Sequence, residues 1–180
     1  MFSFSPAFSK FAEAIEGSSH FKNYIKEFLE VLNSNFEWSH FERILKEYSI
    51  EKIEDVKLKV LDVLMSYANF NLSDSLVTAD EIQDFTILKK VFRIKEGDFM
   101  RFKKFEAYEI LKREIIGIYS GHFVGDKEKL MNLHFQSMFD LSYDEFEELK
   151  KEEVIFSLMH GAYPQDLDIS KIPREFKGLK

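Results

Sequence analysis

Residues 76–99, LVTADEIQDFTILKKVFRIKEGDF, are followed 47 positions later by residues 123–146, FVGDKEKLMNLHFQSMFDLSYDEF, and the two stretches align over 24 positions without a gap. Val77 meets Val124, Glu81 meets Glu128, Phe92 meets Phe139 and Phe99 meets Phe146, while Leu88/Phe135, Val91/Met138, Ile94/Leu141 and Asp98/Glu145 are conservative. Upstream, Leu64 meets Leu111 and Ser73 meets Ser120. Self-similarity at a fixed offset is the mark of a repeated supersecondary unit. Each unit reads as a long helix, a tight loop, a capped helix and a second turn. The expected fold is therefore all-α, with about seven to nine helices and an internal pseudo-twofold duplicated four-helix core.

Periodicity outward from the repeat agrees. Thr78 with Glu81 and Ser142 with Glu145 are capping boxes, in which a hydroxyl and a carboxylate satisfy the first orphan N–H groups of a helix. The first opens a helix with Ile82, Phe85, Leu88, Val91 and Phe92 on its buried face, and the second a helix that places Phe146, Leu149, Val154 and Leu158 inward as far as Gly161. Between them, Phe102, Phe105, Tyr108, Leu111, Ile115 and Ile118 recur at three and four and predict one helix over residues 98–119, with another over 126–139. Toward the N-terminus, Ser5-Pro6 starts a helix that Gly17 stops, a second covers residues 19–33, and Ser39 with Glu42 suggests a third capping box. Ile53, Val56, Val60, Leu61, Leu64, Ala68 and Leu72 mark a long core helix. The expected organisation is a helical extension over 1–50, the duplicated core over 51–161 and an irregular tail over 162–180, in one compact domain overall.

Composition supports helices and narrows the chemistry. Twenty Phe with only 7 Gly and 3 Pro leave too little turn punctuation for a many-stranded sandwich or barrel. The absence of Cys excludes a disulfide framework, thiolate metal sites and Cys nucleophiles, and it suits a reducing compartment. The opening residues lack the basic leader and small-residue cleavage pattern of a signal peptide, and Lys, Glu or Asp interrupts every apolar run before it could span a bilayer. A cytoplasmic location is expected. A net charge of −7 disfavours tight binding to a nucleic-acid backbone and points toward proteins, metals or small molecules, with a protein partner or self-association expected. None of the five His forms an HExxH or HxxxH pair, and no nucleophile elbow or Gly-rich phosphate loop is present, so no enzyme is expected.

The first loop, Asp74-Ser75-Leu76-Val77-Thr78-Ala79-Asp80-Glu81, resembles the loops of the tellurite-resistance TerB-like family, and Phe139-Asp140-Leu141-Ser142-Tyr143-Asp144-Glu145-Phe146 is similar to that family's late-helix turn. The resemblance covers about residues 56–150. Ser75 stands where the family often has Gly, and Gly121-His122 replaces the acidic start of the second unit. The resemblance implies an all-helical, non-catalytic stress-response or binding module that holds no cofactor except, in one version, a divalent cation. That site would use Asp74, Asp80, Glu81 and Asp84. Clustered carboxylates suit hard cations, yet Asp80 and Glu81 at a helix start are equally what the helix dipole and the capping box require. His122, Asp126 and Glu128 offer a weaker mixed set in the second unit, open to the same alternative.

Charge is distributed unevenly between the units. Residues 89–104 carry seven bases, Lys89, Lys90, Arg93, Lys95, Arg101, Lys103 and Lys104, against two acids. Residues 140–153 invert the balance, with Asp140, Asp144, Glu145, Glu147, Glu148, Glu152 and Glu153 against Lys150 and Lys151. Such polarity orients a domain toward a partner or a second copy; solvated helix faces explain the same pattern. Phe92, Phe99, Phe102 and Phe105, which interleave the basic run, are expected in the core because of their helical spacing.

Overall fold

The computed structural model describes residues 3–34, 36–72, 77–120 and 126–160. Among these residues there are nine α-helices and one 3₁₀ turn, and no strand: α1 Pro6–Glu16, α2 Asn23–Asn33, α3 Trp38–Glu47, the turn Ile53–Val56, α4 Lys57–Asn71, α5 Ala79–Val91, α6 Asp98–Phe102, α7 Lys104–Ser120, α8 Asp126–Phe139 and α9 Tyr143–Met159. No helix among the described residues is long and apolar enough to cross a membrane.

The chain forms two compact units, Met1–Asp98 and Phe99–Lys180. In the first, α1 packs on α2, α4 and α5, and α2 packs on α3. The helices expected as an N-terminal extension thus share a core with α4 and α5. Phe28 stacks on Phe41 at 4.1 Å between ring centroids, and both rings meet Phe92 at 6.2 and 6.0 Å. In α4, buried side chains run nearly all the way round, including Val60, Leu61, Val63, Leu64, Met65, Tyr67 and Ala68, as a helix enclosed by its neighbours requires.

In the second unit α7 packs against α8 and α9. Lys112 pairs with Glu153 at 3.5 Å, and the Lys104 charge reaches Glu145; both partners are 41 residues apart, so α7 and α9 run parallel. Inside lie Ala107, Ile110, Leu111, Phe135, Phe139, Phe146 and Val154, with Phe99 edge-on to Phe139 at 5.5 Å.

Side-chain caps set the starts of α1, α5 and α9. The Ser5 hydroxyl accepts from the Ala7 and Phe8 N–H groups, with Pro6 at the first helical position. Both expected capping boxes at Thr78–Glu81 and Ser142–Glu145 are formed. The box expected at Ser39–Glu42 is not: α3 starts two residues earlier than that box would set it, at Trp38 after an extended Glu37, and the Ser39 hydroxyl turns back to Glu37. Trp38 rests edge-on against Phe36 and Phe41, which fixes the entry of the chain by ring packing instead of a hydroxyl.

Three helix ends share one turn. Ser49, Arg93 and Asp140 adopt left-handed backbone, with φ of 55°, 53° and 54°. The next N–H in each case reaches the carbonyl five residues back: Ile50 to Leu45 at 2.8 Å, Ile94 to Lys89 at 2.9 Å and Leu141 to Gln136 at 3.0 Å. This is the Schellman arrangement, which satisfies orphan carbonyls and places an aliphatic residue after the turn.

The helix expected over 98–119 is divided at Lys103 into α6 and α7. The inward row of α7 is Ala107, Leu111 and Ile115, and one more step of four back from Ala107 lands on Lys103. Phe102 and Phe105 fall off that row. They were expected in the core; instead Phe102 is 38% exposed and Phe105 75% exposed, while Phe92 and Phe99 are buried.

Candidate functional site

Of the four carboxylates suggested as a cation site, Asp74 lies outside the described residues. Glu81 accepts from the Thr78 N–H at 2.7 Å and completes the cap of α5. Asp84 points inward, only 1% exposed, where its oxygens accept from the Ser5 N–H at 3.0 Å, the Ser5 hydroxyl at 2.5 Å and the Tyr67 hydroxyl at 2.7 Å. Asp80 and Asp84 line one shallow cleft of about 220 Å³ with Ser3, Phe4, Ser5 and Gln83. The structure thus brings two of the four together, but the carboxylate of Asp84 is committed to the start of α1. Among the described residues no group of three or more His, Asp or Glu is placed to hold a metal ion. His122 and the side chains of Asp126 and Glu128 lie outside the described residues.

The Ser5–Asp84–Tyr67 cluster joins three elements. Tyr67 packs against Phe8 at 5.9 Å and Phe11 at 5.0 Å, and burial, followed by the neighbouring Asp84, raises its hydroxyl far above the usual phenol range. Tyr67 therefore remains a hydrogen-bond donor to the carboxylate. The position of Asp84 four residues after Asp80 suggests a shared acidic face; its real partner is 79 residues away in sequence, which no local pattern reveals.

The charged runs divide between surface and interior. On the basic side Lys90, Arg93, Lys95, Arg101 and Lys104 are exposed, and Lys89 and Lys103 are half-buried. Arg93 pairs with Glu54 at 3.3 Å and Lys103 with Glu106 at 2.9 Å. The Arg101 guanidinium lies 5.0 Å over the Phe102 ring, and the Lys104 ammonium 5.3 Å over Tyr108. On the acidic side Asp144, Glu145 and Glu148 are exposed and Glu147 is half-buried, whereas Glu153 and Lys150 turn inside. Tyr143, 57% exposed, stands at the same helix start.

Two pairs of charged residues occupy positions 47 apart in sequence, one in contact and one acting through charge alone. Lys57, first residue of α4, pairs with Asp98 at 2.7 Å, and Asp98 also accepts from the Lys95 N–H at 2.8 Å. Burial pushes the Asp98 carboxyl up, but these hydrogen bonds and charges outweigh it and hold the group below the usual carboxylate range. Lys104, first residue of α7, acts on Glu145, which accepts from the Ser142 N–H at 2.9 Å; the Ser142 backbone and hydroxyl, with the charge of Lys104 added, lower Glu145 too.

A cleft of about 340 Å³ that sequence reading missed lies between α1 and α2, where Glu13, Glu16, Glu27 and Glu30 surround Lys26. Lys26 donates to the Glu16 carbonyl at 2.9 Å. Glu pairs three apart on each helix were the available signal.

No family model, curated protein or solved structure matches this chain.

Proposed function

We propose that this chain is a non-catalytic binding module of the TerB-like kind that acts as a protein-interaction adaptor, through the basic aromatic surface at the start of α7. The observation that carries the reading is Phe105, three-quarters exposed, next in the chain to exposed Lys104 and just past α6, whose last turn carries exposed Arg101. A large ring kept in water close in sequence to exposed bases gains most by burial against an aromatic, acidic partner surface. Interleaved Phe and bases also suit stacking on nucleic-acid bases. The net charge of −7 opposes the backbone attraction that supplies most of such affinity. The TerB-like likeness and a duplicated origin belong to the same proposal. They are supported by the formed Thr78–Glu81 cap and by two helices in each stretch that begin 47 residues apart, at Lys57 and Lys104 and at Ala79 and Asp126.

The test is fluorescence anisotropy with three labelled probes: an acidic aromatic peptide, its basic counterpart and single-stranded DNA. The acidic peptide should bind, weaken steeply as salt rises, and lose about tenfold in affinity, ~1.4 kcal/mol, with Phe105→Ser or Arg101→Glu. Equal binding of the two peptides, insensitivity to salt, or tightest binding to DNA would overturn the adaptor reading.

A further inference from the structure

The basic and acidic edges of the second unit lie side by side. Arg101 stands at the end of α6, Lys104 and Phe105 at the start of α7, and Tyr143, Asp144 and Glu148 in the first two turns of α9. Because α7 and α9 run parallel and Lys104 acts on Glu145, the two edges meet at one end of the same unit. This arrangement has a definite symmetry. A half-turn about an axis through the boundary of the two edges carries the basic edge onto the acidic edge and the acidic onto the basic. A surface with that property is complementary to a copy of itself, as an isologous contact requires.

We propose that the occupant of this surface is a second copy of the chain, docked about a twofold axis, with Arg101 and Lys104 of each copy against Asp144 and Glu148 of the other. Phe102, Phe105 and Tyr143 supply the apolar area between the charged edges. The proposal rests on the adaptor reading and names its partner. The charge pairs set register and encounter rate, and the rings supply the burial that holds the contact. Because the molecule as a whole is negative, two copies repel at long range, and attraction depends on the local pairs. The contact is therefore reversible and salt-sensitive. The twofold also closes the assembly at two copies, whereas a head-to-tail pairing of the same edges would continue into open chains.

The experiment is sedimentation equilibrium of the full chain over a range of concentrations at low and high salt, with wild type, Arg101→Glu, Asp144→Lys, and an equimolar mixture of the two variants. Wild type should dimerise and dissociate as salt rises. Each variant alone brings like charges together at both ends of the contact and should weaken association by about tenfold or more. The mixture should restore it, since every reversed base then faces a reversed acid. Both positions are exposed, and recovery in the mixture shows in addition that each variant is folded.

A monomer under all conditions overturns the dimer, and so do open-ended oligomers, association that strengthens with salt, or a mixture that stays monomeric. The acidic peptide separates the two readings. If the chain is monomeric but Arg101→Glu and Phe105→Ser still cost it the peptide, the adaptor reading stands and the dimer falls; if the peptide does not bind either, both fall.

Discussion

Residues 57–99 and 104–146 begin their long helices at Lys57 and Lys104 and their second helices at Ala79 and Asp126. They leave those helices through Arg93 and Asp140 in left-handed backbone, and then tie Asp98 and Glu145 to an N–H three residues back. Val60 and Ala107, Leu64 and Leu111, Leu88 and Phe135, Phe92 and Phe139, and Phe99 and Phe146 are buried in step, while Leu58 and Phe105 are exposed in step. Between these fixed points the two stretches diverge. The first has Tyr67 and Asp84, which hold the start of α1; the matching positions of the second are Glu114 and Met131. Glu114 is raised above the usual carboxylate range by burial, against the opposing pull of Arg113. Helix starts, turns and apolar steps therefore set the frame, and the positions that the frame leaves open differ in chemistry.

The largest effect tests the frame itself. Phe92→Ala and Phe139→Ala remove matching rings, each nearly inaccessible to solvent, and each should lower stability by about 3–5 kcal/mol in urea unfolding followed by circular dichroism. A large loss in one variant and less than about 1 kcal/mol in the other would show that the shared turn does not carry the same weight in both stretches.

A smaller effect should be confined to the first stretch. Asp84→Ala leaves the Tyr67 hydroxyl buried without its acceptor and removes the tie to Ser5, so a loss of about 2–3 kcal/mol is expected in the same measurement. Proteolysis should then open α1 first. A variant as stable as wild type would mean that the cluster adds nothing to the packing of Phe8 and Phe11.

Two carboxyls give pH dependences of opposite sign. Asp98 is held below its ordinary value of 3.8, so its ionisation favours the folded state above that pH, and the gain is lost as the pH falls through its lowered value. Asp98→Asn should cost about 1–2 kcal/mol at neutral pH and little in acid. Glu114 is raised above 4.5, so ionising it disfavours the folded state, and the cost appears as the pH rises through and above 4.5. Glu114→Gln should be neutral in acid and stabilising at pH 7, by a few tenths of a kcal/mol after allowance for the exposed part of the group. Parallel pH profiles for the two variants would remove this contrast.

What the sequence shows and what it hides divide along sequence distance. The Thr78–Glu81 and Ser142–Glu145 caps, the borders of α8 and the buried rows of α1, α4 and α5 follow from residues within a few positions of one another. The Ser39–Glu42 box fails because Trp38 finds rings to pack on. Phe102 falls outside the core because a break at Lys103 divides the helix, which apolar spacing alone does not reveal, and Phe105 because it lies about 200° round α7 from the buried Ala107. Asp84 was misread for a different reason: its partners at positions 5 and 67 are brought to it only by the folded core.

The smallest expected effect concerns the acidic loop, where the sequence and the folded core lead to different uses of the same carboxylates. A divalent cation that bound only the folded protein would add about 2.7 kcal/mol at 100 times its Kd. To gain that, Asp84 would have to give up the Ser5 and Tyr67 hydrogen bonds and Glu81 its bond to the Thr78 N–H. Melting of chelator-stripped protein with Ca²⁺, Mg²⁺, Mn²⁺ and Zn²⁺ should accordingly show no selective shift. A selective rise lost in both Asp74→Ala and Glu81→Ala would overturn this: the loop would then bind a cation strongly enough to redirect its own cap, and the first stretch would differ from the second by a ligand as well as by a buried anchor.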